Sequence, residues 1–135
     1  MRLDINPNSG VPIFVQIKEQ IKNAIAGGVL EEGEKLPSVR ELSKELTVNP
    51  NTVSKAYQEL MNEGIIVKER GIGMFVSIQS KTIDDKRNEE LFKEKLEMLF
   101  TEAYHLNIPE GKIKEMFFEE LERWKYRLNE RGKNK

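Results

Sequence analysis

The stretch LTVNPNTVSKAYQELMNEG, Leu46 to Gly64, decides the fold. Asn49 is a good N-cap, because its side-chain oxygen can accept a free N–H from the first helical turn. Pro50 falls at the first helical position, where its missing N–H costs nothing. Val53, Ala56/Tyr57 and Leu60/Met61 recur at helical spacing and make an apolar stripe. The opposite face carries Asn51, Ser54, Lys55 and Gln58. Gly64 stops the helix at the position that favours a left-handed residue. A short amphipathic helix with a donor-rich N-terminal face suits a DNA major groove. An ordinary surface helix reads the same way in this window, so the flanking sequence has to decide.

Upstream, residues 1–12 hold Asn6, Pro7, Asn8, Ser9, Gly10 and Pro12, which predict extended or irregular chain. A helix then begins near Pro12 or Ile13, with Phe14, Ile17, Ile21 and Ala24/Ile25 on one face, and ends at Gly27-Gly28. Val29 and Leu30 are expected in the core, and Lys35-Leu36 in a very short strand. Ser38 with Glu41 three residues on makes a capping box for a second helix, whose buried stripe is Val39, Leu42 and Leu46. Val48 is placed to plug the turn into the third helix. Two helices separated by so few residues have helix-turn-helix spacing.

Downstream, the period changes. Ile65, Ile66 and Val67 lead through Lys68-Glu69-Arg70 to Gly71-Ile72-Gly73, and Met74, Phe75, Val76 and Ile78 resume an apolar run. This reads as a β-hairpin with Arg70 at the base of its tip. It opens no helix and lacks the lysine and hydroxyl of a phosphate loop. A hairpin beside three helices is a winged helix. The fold class expected is therefore mostly α, an N-terminal winged helix-turn-helix over 1–80 followed by a two-helix C-terminal unit over 81–135.

Ser80 to Arg87 is a polar boundary. Beyond it Phe92, Leu96, Leu99, Ala103 and Leu106 form one helical stripe, and Ile113, Met116/Phe117, Leu121, Trp124 and Leu128 another, broken apart by Asn107 to Pro109. Two antiparallel helices cannot cover so large an aromatic load themselves. They are expected to pack on the head and on a second copy, with Phe92, Leu96, Leu99, Phe100, Ala103, Phe117, Leu121 and Trp124 as the dimerisation residues. The end, with Arg131, Lys133 and Lys135 against Glu130, is basic; a solubilising tail and a phosphate contact fit it equally.

Composition narrows the function class. The chain of 135 residues is 38% hydrophobic and 33% charged, and it has no cysteine. That excludes thiolate metal sites and fits a reducing compartment, so a cytoplasmic location is expected. No run approaches the roughly eighteen apolar residues of a membrane span. No metal or other cofactor is expected. An enzyme fares badly: His105 is the one histidine, and acidic pairs fall on wet helix faces where salt bridges explain them. The first 80 residues hold 9 Lys/Arg and 10 Asp/Glu, so a nucleic-acid reading rests on where charges sit rather than on their total.

Several pieces then fall into one pattern: PIFVQIKEQIKNAIAGG from Pro12 to Gly28, GEKLPSVREL from Gly33 to Leu42, NPNTV from Asn49 to Val53 with Ala56-Tyr57 and Leu60, Glu63-Gly64, and Arg70-Gly71-x-Gly73-x-Phe75-Val76. Together they resemble the GntR family of bacterial transcription regulators, and the two-helix tail resembles its small YtrA-like subgroup. The resemblance implies a homodimer that binds double-stranded, palindromic operator DNA and represses an operon, in the subgroup often one encoding an ABC transporter. Carried over by position, it implies DNA contacts from Arg40, from Asn49, Pro50, Asn51, Thr52 and Ser54 around the recognition helix, and from Gly71 and Gly73 at the wing. Proline at 50 and serine at 54 depart from the arginines of other family branches, which shifts base reading toward Arg40, Asn51, Ser54 and Lys55. From the residues themselves, Ser43 and Thr52 suit phosphates and Arg70 suits a minor groove. A small-molecule effector has room among the tail aromatics, though packing accounts for them equally. The alternative function is a winged-helix module that acts through protein contacts or binds DNA without sequence preference.

Overall fold

Helix α1, Ile13–Ala26, forms where the sequence offers an apolar face at three- and four-residue spacing; Ile17 and Ile21 on it are fully buried. The computed structural model describes residues 1–78 and 85–133, with side chains of 86–127 in the second stretch. Residues 80–84 of the polar boundary, and the side chains of Leu128, Glu130, Arg131, Lys133 and Lys135, lie outside the described residues. The chain divides into two units, Met1–Gln79 and Ser80–Lys135.

In the first unit α1 is followed by β1 (Lys35–Leu36), α2 (Val39–Leu46), α3 (Pro50–Asn62), β2 (Ile66–Glu69) and β3 (Gly73–Val76). The three strands form an antiparallel sheet in the order β1-β3-β2. Lys35 stands opposite Phe75 and Leu36 opposite Met74, while Ile66 to Glu69 run against Val76 to Gly73. One sheet face closes the helical core, in which Leu36, Ile66 and Val76 meet Ile17, Leu42, Val53 and Leu60.

Local chemistry sets the boundaries. Ser38 caps α2 by accepting the Glu41 N–H at 3.0 Å, and Asn49 caps α3 by accepting the Asn51 N–H at 2.8 Å. Gly64, at φ 75°, reverses the chain after α3. The Gly64 and Ile65 N–H groups then donate to the carbonyls of Met61 and Leu60, which satisfies two of the helix's last acceptors.

One expectation is corrected. Val29 is 67% exposed, whereas Leu30 is buried: Gly28, at φ 82°, turns the chain so that the Leu30 N–H donates to the Ala24 carbonyl and Val29 points out. The N-terminal arm is extended but anchored. Gln20 and Gln16 grip the backbone of Asp4 and Asn6, each amide both donating and accepting at 2.6–2.9 Å. This lays Met1, Leu3 and Ile5 against the core.

The second unit is a pair of helices, α4 (Asp85–His105) and α5 (Glu110–Lys133). Asn107 joins them in the left-handed conformation, φ 58°, with the Ile108 N–H donating to the Ala103 carbonyl at 3.0 Å. Phe92, Leu99, Phe100 and Phe118 remain exposed on this unit, and its described ion pairs all lie on the helix surface at three- or four-residue spacing. Such pairs contribute only about 0.2–0.5 kcal/mol each.

Candidate nucleic-acid interface

The turn between α2 and α3 is held by its own side chains. Ser43 is only 8% exposed, and its hydroxyl donates to the Val48 carbonyl at 2.6 Å. It is therefore not a phosphate contact, as its residue type suggested; it staples the turn. Thr47 supplies the reversal, at φ 54° and ψ 49°. Tyr57, buried in α3, donates its hydroxyl to the Pro37 carbonyl at 2.7 Å and so ties the entry of α2 to α3. Burial, with the charges of Glu41 and Glu45, pushes that phenol's pKa well up, so it stays a donor.

On this scaffold Arg40, Asn49, Pro50, Asn51 and Ser54 are all exposed, and Thr52 is half-buried. The Asn51 and Ser54 side chains lie on the face of α3 opposite Val53 and Ala56, as the periodicity predicts. Lys55 is exposed too, but its ammonium lies 4.0 Å from the centre of the Phe14 ring, a cation–π contact that directs it toward the start of α1. It is thus placed at the flank of α3.

The wing differs in detail from its sequence reading. The Ile72 N–H donates to the Glu69 carbonyl at 3.0 Å, so Arg70 and Gly71 are the central residues of the tip, not its base. Gly71 adopts φ 76°, which an L side chain would resist. Gly73 opens β3 and is half-buried, covered by the Lys35 side chain. Between α3 and the wing lies an open cleft of about 400 Å³, with Ser38, Ser54, Gln58, Lys35, Lys68, Ile72 and Gly73 among its lining. Sequence reasoning placed Gln58 on this face of α3 but missed Lys35 and Lys68 as members of this surface. No local signal marks the two lysines: Lys68 pairs with Met74 on the sheet face turned toward the helices, and Lys35 with Phe75 on the other face.

Charge is segregated across the unit. Lys18 bonds Glu59 at 3.0 Å and Glu63 at 2.8 Å, and Lys22 bonds Glu63 at 3.0 Å, all between α1 and α3. Glu63 is partly buried, which works against its charge, yet its bonds to Lys18 and Lys22 hold its carboxyl below the ordinary range; the same contacts raise Lys18. Among the described residues Lys35, Arg40, Lys44, Lys68 and Arg70 make no ion pair. The acids that neutralise this unit are in part spent along the α1–α3 seam, away from the wing.

The second unit has open apolar grooves of about 710 and 630 Å³, both bordered by Leu96, Phe100, Ile113 and Phe117. Phe92, Leu99, Leu121 and Trp124 border the second, and all four are exposed. Ala103, by contrast, is already covered within the chain at 8% exposure, so it does not offer a partner surface.

Comparison with known proteins places these features. A family model described as bacterial regulatory proteins, gntR family, matches residues 14–76. The HTH-type transcriptional repressor YtrA of Bacillus subtilis (strain 168) is 42% identical over 113 residues, 84% of this chain and 87% of that protein. The crystal structure of a transcriptional antiterminator from Listeria monocytogenes EGD-e aligns with a TM-score of 0.79 at 34% identity, covering 92% of each chain. AraR(DBD), solved in complex with an operator, aligns with a TM-score of 0.51 at 29% identity, over 57% of this chain and 99% of that one.

Proposed function

The chain belongs to the GntR family of bacterial regulatory proteins, and from that membership we propose that it is a dimeric, operator-binding repressor of the YtrA type. It is a transcription regulator that binds DNA, and not an enzyme. The observation that carries the reading is the exposed N-terminal face of α3 standing beside a wing with unpaired cations, on the side away from the α1–α3 ion pairs. In this reading α3 enters the major groove with Asn51 facing base edges, and Arg40 reaches a guanine or a phosphate. Arg70 and Gly71 bring the wing tip to the adjacent minor groove, whose negative potential draws a cation. Residues 1–80 are the DNA-binding domain and 81–135 the dimerisation unit.

The tail's exposed apolar grooves support the dimer: a two-helix unit this open gains most by pairing with its own copy about a two-fold axis. Two heads so joined fit a palindromic site. The regulated operon is read as one for an ABC transporter and the location as cytoplasmic, both from the family.

The test is to select bound sequences from a random duplex library, then titrate the selected and scrambled duplexes at several salt concentrations. Each good base contact discriminates by roughly 1–3 kcal/mol, so Asn51→Ala should lower the preference about 5- to 150-fold. The slope of log K against log salt should hardly change, because Asn51 neutralises no phosphate. A parent protein with no preference would refute the repressor reading. A preference left intact in Asn51→Ala would move base reading to another residue.

A further inference from the structure

We propose that Phe14 is a positioning residue for DNA binding: its ring fixes the Lys55 ammonium at the flank of α3 with the charge intact, set for a backbone phosphate. The inference rests on the DNA-binding reading above, and it starts from the register of the α1–α3 seam. Phe14, Lys18 and Lys22 stand one helical turn apart on α1, and Lys55, Glu59 and Glu63 keep the same spacing along α3 and its C-cap. They meet rung by rung. Lys55 lies 4.0 Å from the centre of the Phe14 ring, Lys18 bonds Glu59 at 3.0 Å, and Lys22 bonds Glu63 at 3.0 Å.

At two rungs a lysine of α1 is neutralised by an acid of α3. At the third the order is reversed, with the lysine on α3 and an uncharged ring on α1. An acid at position 14 would complete the ladder but would also cancel the charge of Lys55. A ring attracts an ammonium through its quadrupole and carries no net charge, so the lysine is steered without being neutralised. Lys55 is exposed and makes no ion pair among the described residues. The ring is itself held, since Phe14 is half-buried and packs against the core. This rung lies at the working end of α3: Lys55 is one turn from Asn51 and adjacent to Ser54. An ammonium has three donors and the ring covers one side of it, which leaves donors for a phosphate oxygen. A lysine restrained in this way gives up less rotamer freedom on binding than a free one.

The test uses the full chain and a fluorescently labelled mixed-sequence duplex. Lys55→Met should make the slope of log K against log salt about one unit shallower per engaged protomer. Phe14→Leu keeps apolar bulk and removes the ring. It should weaken binding about 2- to 5-fold per engaged protomer, the worth of an exposed cation–π contact, while the slope stays parental. In the Lys55→Met background Phe14→Leu should change nothing, and Phe14→Tyr, which keeps a ring, should bind as the parent does. A folding defect would weaken both backgrounds alike, so the cycle separates positioning from structure. Should Phe14→Leu fail to fold, nuclear magnetic resonance of the parent carries the test: the Lys55 Hε signals should be shifted upfield by the ring and stay so when duplex is added. A parental slope in Lys55→Met, an equal loss in both backgrounds, tighter or unchanged binding by Phe14→Leu, or Hε signals that leave the ring on adding duplex would each overturn the assignment while leaving DNA binding intact. A parent that binds no duplex at low salt would instead overturn the DNA reading itself.

Discussion

Thr47 holds the helix-turn-helix in a conformation that its own side chain resists, so replacing it with glycine should stabilise the protein. The residue is exposed, β-branched and left-handed, at φ 54° and ψ 49°. For an L-residue that region costs roughly 1–2 kcal/mol, through the clash of Cβ with the following carbonyl. The turn accepts the cost because what it secures is larger. The Val48 N–H donates to the Ser43 carbonyl at 3.0 Å, the Ser43 hydroxyl returns a bond to Val48, and Val48 packs on the core. Thr47→Gly removes the strain and keeps each of those bonds, but it restores about 0.4–1 kcal/mol of freedom to the unfolded chain. The net gain is about 0.5–1 kcal/mol, a rise in Tm of about 2–5 °C for a chain of this size. Thr47→Ala should change stability less, since it keeps a Cβ. Urea unfolding followed by far-UV circular dichroism measures this, with an unchanged m-value as the sign that only stability moved. A glycine variant equal to or weaker than the parent would refute the strain argument and imply that the threonine side chain makes a stabilising contact.

Two further predictions follow from the tail and the seam. Sedimentation equilibrium at micromolar concentration should give twice the chain mass of 15.7 kDa, and Phe117→Asp, which places a charge on the border of both tail grooves, should give the single mass; a monomeric parent would remove the dimer from the proposal. Glu63, whose carboxyl is held below its ordinary 4.5 by Lys18 and Lys22, contributes stability that is present above that value and lost as pH falls through its lower folded pKa. The stability advantage of the parent over Glu63→Gln should therefore be full near neutrality and fade below pH 4.5; an advantage independent of pH would count against the ion pairs as its source.

What could be read in the sequence was whatever depends on neighbours three or four positions apart. The caps at Ser38 and Asn49, the stop at Gly64 and the stripe of α3 all emerge from local spacing, and the structure has them. Ser43 was misread because a serine's type does not reveal which side of a helix closes; its partner is five residues on, across a turn whose shape Thr47 sets. Lys55 and Lys35 were beyond local reading altogether. Phe14 and Lys55 lie on different helices, and Lys35 and Gly73 on different strands. The nearest usable hint was Gly71-x-Gly73 itself, since a tight tip needs one glycine and a second asks for a reason. The arm of Met1, Leu3 and Ile5 did alternate, yet it has no strand partner. Gln16 and Gln20, one helical turn apart, provide the hydrogen bonds that a strand would have given.

The low net charge of −1 bears on how such a protein separates its operator from other DNA. Non-specific affinity comes almost wholly from neutralising phosphates, so a broad positive field would raise binding everywhere in the same proportion. Here the fold limits that field. Lys18 and Lys22 are committed to Glu59 and Glu63, and Lys55 is drawn to Phe14, which leaves a few unpaired cations near α2, β1 and the wing. A single head carrying so few phosphate contacts would bind weakly and with a shallow salt dependence. In the proposed dimer, two heads joined through the tail would make the second contact set intramolecular and raise binding where two half-sites are correctly spaced. On this account the acids of the α1–α3 seam serve specificity as well as stability. Replacing Glu59 and Glu63 by glutamine would free two lysines, lift the non-specific term more than the operator term, and so lower the ratio between them.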